Sequence, residues 1–328
     1  MKIRISFLRT LMQFVAAIFI LYGGWLIFDG RKAYLSPAFA VSQAPQEFKS
    51  ATFTKNVAPY NNPYNLYLEF KSCRYARGTG LFRACSYHLI QESISWKDGI
   101  RMWGPYLLLF LGLAIIFGRF TCGWICPIGF IQDILQRIRK KTGIRSLKIP
   151  EKAAKIAKYS AMVFFFAIVP ALSFAVTIKS LPWEIRDGLY LAGCQVCPAR
   201  VISALLTGYP VTLDLFRPVF VYFFIICLLL TAVVAGSLFV NRFWCRICPN
   251  GIMLSFFNTG KVLAKKKDLL KCNRCGVCAN NCTMDTAFVY NEKKRETVDH
   301  PNCINCFKCV ESCPEKAVKV KFFGKRIF

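Results

Sequence analysis

Four long apolar blocks, residues 11–28, 102–117, 159–178 and 219–240, break an otherwise polar chain. Each approaches or reaches the roughly 20 residues that an α-helix needs to cross a bilayer core of about 30 Å. The second is the shortest, and Arg101 stops it from extending back to Ile100. The pattern predicts four transmembrane helices. Two short basic segments, "QRIRKKTGIRSLKIPEKAAKIAK" and "KVLAKKKDLLK", follow the second and fourth blocks. Lys and Arg accumulate on the cytoplasmic side of short loops, so both termini are expected in the cytoplasm of a multi-pass cell-membrane protein. A basic start, an apolar core and then "SPAFA" also fit a cleaved leader. The core is longer than a leader core, which favours an N-terminal anchor helix at 1–28. Residues 29–101 then form an outer loop, 102–260 a membrane domain and 261–328 a terminal domain.

Composition agrees with this outline. The 328 residues are 55% hydrophobic and carry a formal net charge of +27. A basic balance often signals nucleic acid. Here the positive residues cluster beside membrane spans, where they face anionic lipid, so nucleic acid is not the expected partner. The 17 cysteines change the picture most. Thiols on the cytoplasmic side are not expected to pair as disulfides, so their spacing decides what they are.

The most specific spacing lies near the C-terminus. "CNRCGVCANNC" holds Cys272, Cys275, Cys278 and Cys282, and "CINCFKCVESCP" holds Cys303, Cys306, Cys309 and Cys313. Each run is C-x2-C-x2-C-x3-C, the spacing of bacterial ferredoxins that hold two [4Fe–4S] clusters. Three cysteines wrap one cluster and the fourth reaches to the other. One cluster is therefore assigned to Cys272, Cys275, Cys278 and Cys313, the other to Cys303, Cys306, Cys309 and Cys282. Two zinc sites are the competing reading, but zinc rarely uses three cysteines at this pitch twice. Pro314 follows Cys313, whereas Thr283 follows Cys282 where proline is expected. That departure alters hydrogen bonding to cluster sulfur and removes no ligand. The segment "MDTAFVYNEKKRETVDHPN" predicts a strand, a charged turn and a second strand, with His300 as a turn residue.

A second repeat sits at two span ends. "GRFTCGWICPIGFIQ" and "NRFWCRICPNGIML" share Arg-Phe, Cys, Cys-Pro and Gly. Cys122, Cys126, Cys245 and Cys248 fall on the inner face, and the duplication predicts that the halves meet about a pseudo-two-fold axis. They form a metal or thiol redox site, or they are buried thiols at helix-ending turns. Cys73, Cys85, Cys194 and Cys197 fall on the outer face, as disulfides or a second cluster site. Cys227, inside a span, reads as packing. Glu184, Arg186 and Asp187 beside Trp183 near the outer interface are candidate contacts to a quinone head, as is His88 to a quinone carbonyl, although solvated loop charges explain the first three as well.

Four spans, "CGWICPIG", "CRICPNG" and a terminal two-cluster ferredoxin together resemble the NapH-like membrane ferredoxins. A similar core occurs at the C-terminal end of NosR-type proteins. The resemblance covers the chain from about residue 70 onward. It implies an electron-relay component of a quinol:acceptor oxidoreductase. Expected cofactors are two [4Fe–4S] clusters, further clusters at the membrane cysteines, and quinone. Expected partners are lipid, quinol and other redox subunits such as an iron–sulfur protein, cytochrome or reductase. NosR-type proteins add an outer flavin-binding domain, which the 29–101 loop does not match. The expected fold is an α-helical membrane protein of two pseudo-symmetric halves plus a small α+β ferredoxin domain. Its expected function is membrane iron–sulfur electron transfer. An assembly or maturation factor that reduces a client metal or thiol, and a redox-sensing regulator, are the alternatives.

Overall fold

The computed structural model describes residues 4–27, 99–177 and 220–327, with short pieces at 85–87, 90–91, 193, 197–199 and 202. Helices occupy all four apolar blocks: α1 Ile5–Ile27, α2 Gly99–Phe117, α5 Glu151–Val163 continuing into α6 Val169–Thr177, and α7 Phe220–Phe239. Among the described residues, one stretch, the 22 residues of Glu151–Leu172, is long and apolar enough to cross a membrane, with mean hydropathy 1.5 in its most apolar window. Its 22 residues rise about 33 Å, enough for a bilayer core. Ile5–Leu21, Leu107–Phe117 and Leu230–Phe239 are shorter apolar helical stretches.

Two compact units divide the chain. The first comprises Met1–Val15, Phe110–Tyr159 and Val234–Phe328, and the second comprises Ala16–Leu109 and Ser160–Val233. In the second unit a π-helical turn, Phe164–Ile168, joins α5 to α6. Such a turn breaks the regular i→i−4 ladder. Here the Phe165 carbonyl accepts a 2.9 Å bond from the buried Tyr87 hydroxyl, and the two rings meet edge to face at 5.5 Å.

The first unit contains the repeat. After α2 comes a five-residue helix, α3 Phe120–Trp124, then α4 Pro127–Lys141; after α7 come α8 Phe243–Ile247 and α9 Pro249–Phe256. Cys126 (φ −65°, ψ 119°) and Cys248 (φ −59°, ψ 126°) adopt the same extended conformation at the two helix starts. Pro127 and Pro249 take the first helical position, where a missing amide costs nothing. The Cys-Pro step was expected only to end a helix; it also begins one.

The ferredoxin module follows as β1 Leu263–Lys267, α10 Val277–Asn280, α11 Phe288–Asn291, α12 Lys308–Glu311, β2 Val318–Phe322 and β3 Lys325–Arg326. β1 and β2 pair antiparallel from Leu263–Phe322 to Lys267–Val318, and β3 lies beyond β2. The strand pair expected between the cysteine runs is not formed. Ala287, in the left-handed region at φ 48°, starts α11 instead, and only Thr297 bridges to Lys266. β1 draws its partner from beyond the second run, so the middle segment is left to turn.

The halves fit because two glycines leave room. A Cβ on Gly129 would stand 2.8 Å from the Cys122 carbonyl and 3.0 Å from an Arg242 guanidinium nitrogen. A Cβ on Gly251 would stand 2.8 Å from Arg119 and 3.1 Å from the Cys245 carbonyl. Gly129→Ala and Gly251→Ala are therefore each expected to cost about 1–3 kcal/mol of stability by overpacking. Thermal denaturation in detergent checks this; a pair of neutral variants refutes the close packing at both glycines.

Candidate functional site: the junction of two Cys-Pro motifs with the ferredoxin loops

The two motifs are joined by exchanged arginines. Arg119 of the first donates to the Cys245 carbonyl at 2.7 Å. Arg242 of the second donates to the Cys122 carbonyl at 2.8 Å. Each arginine thus seats the first cysteine of the opposite motif, as the pseudo-two-fold reading requires. Arg119 and Arg242 are both fully buried, and Cys122 and Cys245 are buried beside them. Gln132 reinforces the junction by accepting the Trp244 amide at 3.0 Å and donating to Cys245 Sγ at 3.4 Å.

Asp133 supplies the counter-charge. Its carboxylate takes Arg242 through Nε at 2.9 Å and Nη2 at 2.5 Å, and it also takes Arg9 and Gln13 from α1. Gln13 and Arg9 reach the Gly123 carbonyl as well, at 2.8 and 3.0 Å. Burial pushes the Asp133 carboxyl up, but the guanidiniums of Arg242 and Arg9 outweigh it and hold the group well below the usual carboxylate range. Asp133, Arg9 and Gln13 were not singled out from the sequence. An Asp in the first turns of an amphipathic helix is ordinarily solvated, and only the fold brings it to Arg242.

The ferredoxin loops dock on this junction from both halves. From the first motif, Trp124 Nε1 donates to the Asn305 carbonyl at 2.8 Å, and Gly123 lies so close to the Ile304 carbonyl that a Cβ would collide. Trp124 stacks on Phe120 at 5.1 Å and shares a core with Leu263, Phe307 and Val320. From the second motif, Arg246 donates to the Met284 carbonyl at 2.9 Å and pairs with Asp285 at 3.1 Å. Asn258 ties both together. Its amide nitrogen reaches the carbonyls of His300 (2.6 Å) and Cys303 (2.7 Å), while its oxygen accepts the Arg119 amide at 3.1 Å. On α1, Ser6 binds Glu311 of α12 through its amide and hydroxyl, each at 2.9 Å.

The ferredoxin cysteines separate into two surroundings. Cys272, Cys275, Cys278 and Cys313 line one open cavity with Lys267, Arg274 and Tyr290 around it. This is the crossed set expected from the spacing, and four thiols around one open cavity suit a cubane. In the second set Cys306 is buried and Cys303, Cys309 and Cys282 are partly so. Donors face these sulfurs: Lys265 Nζ lies 2.9 Å from Cys303, the Thr283 hydroxyl 3.3 Å from Cys306, and the Thr286 hydroxyl 3.5 Å from Cys282. Donors aimed at sulfur suit thiolates that carry a cluster. A single zinc would need its sulfurs within about 3.8 Å of one another, given bonds of about 2.3 Å. Among the described residues no group of three or more His, Cys, Asp or Glu is arranged to hold a single metal ion.

His300 behaves as a turn residue. Its Nδ1 accepts the Asn302 amide at 3.1 Å and its ring lies 5.1 Å from Phe288. Of the outer set, Cys85 and Cys197 are described, while Cys73 and Cys194 lie outside the described residues, as do His88, Trp183, Glu184, Arg186 and Asp187 and the Cys227 side chain.

Comparison with known proteins agrees with the duplicated architecture. A family described as "4Fe-4S binding domain" matches residues 106–145 and again 220–268, one match on each half. A "4Fe-4S dicluster domain" matches residues 264–314. An uncharacterised protein of Methanocaldococcus jannaschii is 28% identical over 246 residues, covering 75% of this chain and 89% of its own. The ferredoxin-type protein NapH of Haemophilus influenzae is 24% identical over 228 residues, 68% of each chain. The regulatory protein NosR of Pseudomonas aeruginosa is 22% identical over 244 residues, 71% of this chain but 30% of NosR. No solved structure matches. The chain is an iron–sulfur protein that takes [4Fe–4S] clusters. More particularly, it is an iron–sulfur electron-transport protein similar to ferredoxin-type NapH and to NosR.

Two outcomes follow from the junction. Asp133→Asn leaves two buried guanidiniums facing each other, so it should cost about 3–5 kcal/mol, the usual loss when a buried pair is broken. Thermal denaturation measures it, and a loss under 1 kcal/mol contradicts the assigned role. The second concerns acid. Burial, then Lys158, Lys265 and Arg119, push the His300 pKa down to about 4, so the folded ring stays neutral while the unfolded one takes a proton below 6.5. Its contribution is complete above pH 6.5 and is lost as pH falls toward 4. At pH 5 the loss is at most about 2 kcal/mol before solvent screening. His300→Gln should flatten stability between pH 7 and 5; an unchanged slope removes His300 as the cause.

Proposed function

We propose that this chain is an integral membrane electron-transfer subunit. It relays electrons between the quinone pool, or a cytoplasmic donor, and a redox partner across the membrane. The four helices at the apolar blocks are its spans, with both termini in the cytoplasm. One cluster is held by Cys272, Cys275, Cys278 and Cys313, the other by Cys303, Cys306, Cys309 and Cys282. Bound there, [4Fe–4S] clusters supply one-electron carriers whose potentials follow charge, burial and hydrogen bonds to sulfur.

One arrangement carries the reading. The first Cys-Pro motif grips residues 304–305, between Cys303 and Cys306, and the second grips residues 284–285, just beyond Cys282. Both membrane-side halves therefore hold segments that ligate the same proposed cluster. It supports reading Cys122, Cys126, Cys245 and Cys248 as the inner site that links the membrane part to the ferredoxin. The cavity of the other set, with Cys275 exposed, is left for a soluble redox partner. Lipid meets the apolar helix faces, where Leu108, Ile115, Ile168 and Phe174 are exposed. The names of relatives, ferredoxin-type NapH among them, accord with partner redox subunits.

Iron per purified chain and its response to quinol test this. About eight iron atoms correspond to two cubanes, and about twelve or more bring in the membrane cysteines. Serine at Cys122 and Cys245 should lower a count above eight; an unchanged count makes them packing residues. Quinol analogues should reduce or reoxidise the clusters spectroscopically. A complete lack of response defeats the quinone form of the relay and favours an assembly role.

A further inference from the structure

The basic stretch 261–267 reads in the sequence as charge beside a membrane, yet its residues 263–267 fold as β1, with Lys265 and Lys267 buried. Lys265 is 1% exposed. Its Nζ lies 2.9 Å from Cys303 Sγ, 3.0 Å from Asn305 Oδ1 and 3.4 Å from Asp299 Oδ1. Asp299 also takes Lys261 Nζ at 2.8 Å. Two ammoniums thus share one carboxylate, and positive charge remains beside the sulfur. Thr283, which stands where the motif expects proline, is also buried and puts its hydroxyl 3.3 Å from Cys306 Sγ. Lys267 is the next inward residue on the same strand and borders the other cavity. Its Nζ instead donates to the carbonyls of Val289 and Glu292, both at 2.9 Å. On that cysteine set the Ala317 amide approaches Cys313 Sγ at 3.3 Å.

We propose that Lys265, assisted by Thr283, sets the reduction potential of the Cys303, Cys306, Cys309 and Cys282 cluster above that of the Cys272, Cys275, Cys278 and Cys313 cluster. Reduction adds one electron and takes up no proton, so the four-thiolate site becomes more negative by one charge. A fixed ammonium in contact with a ligand sulfur stabilises that added charge, and a hydroxyl on a second sulfur acts in the same direction. Burial opposes it by disfavouring extra charge. The ammonium prevails because its interaction is strengthened by the same low-dielectric surroundings. An electron entering at the exposed cavity is then drawn toward the junction with the membrane motifs. The inference rests on the ligand assignment above and adds an order to it.

Potentiometric titration of the full-length, detergent-purified protein, followed by electron paramagnetic resonance with iron analysis alongside, tests it. Wild-type protein should show two one-electron steps of unequal potential. Lys265→Met should lower the higher step by a tenfold change in the reduced-to-oxidised ratio at fixed potential, about 59 mV for one electron. Lys265→Arg should keep most of the original potential, Thr283→Val should lower the same step by less, and Lys267→Met should leave that step in place. Iron-replete Lys265→Met with both steps unmoved, or both moved equally, overturns the proposal. If Lys265→Met does not assemble, Thr283→Val decides alone, and an unmoved higher step overturns it. Wild-type protein lacking cubane iron would instead overturn the ligand assignment itself.

Discussion

The exchange of Arg119 and Arg242 between the two Cys-Pro motifs, neutralised in part by Asp133, is the interaction on which the rest depends. A guanidinium buried at 0–1% exposure is costly unless hydrogen bonds and a nearby negative charge offset it. Arg242 has both, in the Cys122 carbonyl and Asp133, which also takes Arg9. Arg119 reaches the Cys245 carbonyl and leaves its buried Nε without a hydrogen bond among the described residues. Because every acceptor belongs to a different segment, neither motif, nor the start of α1, can leave without stranding a charge. Gly129 and Gly251 are the steric condition for this, and Pro127 and Pro249 start the next helix where the junction ends.

That junction also fixes the ferredoxin. Trp124, Arg246 and Asn258 bind carbonyls in the loops that carry the cysteines and touch few of the cysteines themselves. Gripping the backbone leaves the sulfurs for iron and limits how far the loops can shift when charge changes. The two cysteine sets consequently differ in kind. One is walled by motif residues and faced by Lys265 and two threonines, and the other opens to solvent. A single fold repeated around two cysteine sets thus gives one buried site and one open site.

Much of this was legible beforehand, because ligand spacing and hydrophobic length are properties of short segments. The C-x2-C-x2-C-x3-C runs gave an expected crossing of the two cysteine sets, and Cys272, Cys275, Cys278 and Cys313 line one pocket together. The helices lie where the apolar blocks do. The repeated Arg-Phe-Cys phrase anticipated that the halves meet. Other features had no local signal. Asp133, Gln13 and Asn258 are ordinary polar residues until distant partners make them buried, and the strand pair expected at 284–302 yielded to a pairing of β1 with β2.

The lysines of 261–267 show the division most clearly. Their composition established a basic segment after the last apolar block, since net charge and membrane proximity can be counted along the chain. Which lysine meets solvent and which meets a sulfur depends on strand register. Register is set when Leu263 pairs with Phe322, from beyond the second cysteine run. The sequence by itself determined the cysteine spacing, the helices and the duplication. Only the tertiary structure decided which charges are buried against which cysteines, because that choice is made by contacts between segments that no local pattern encodes.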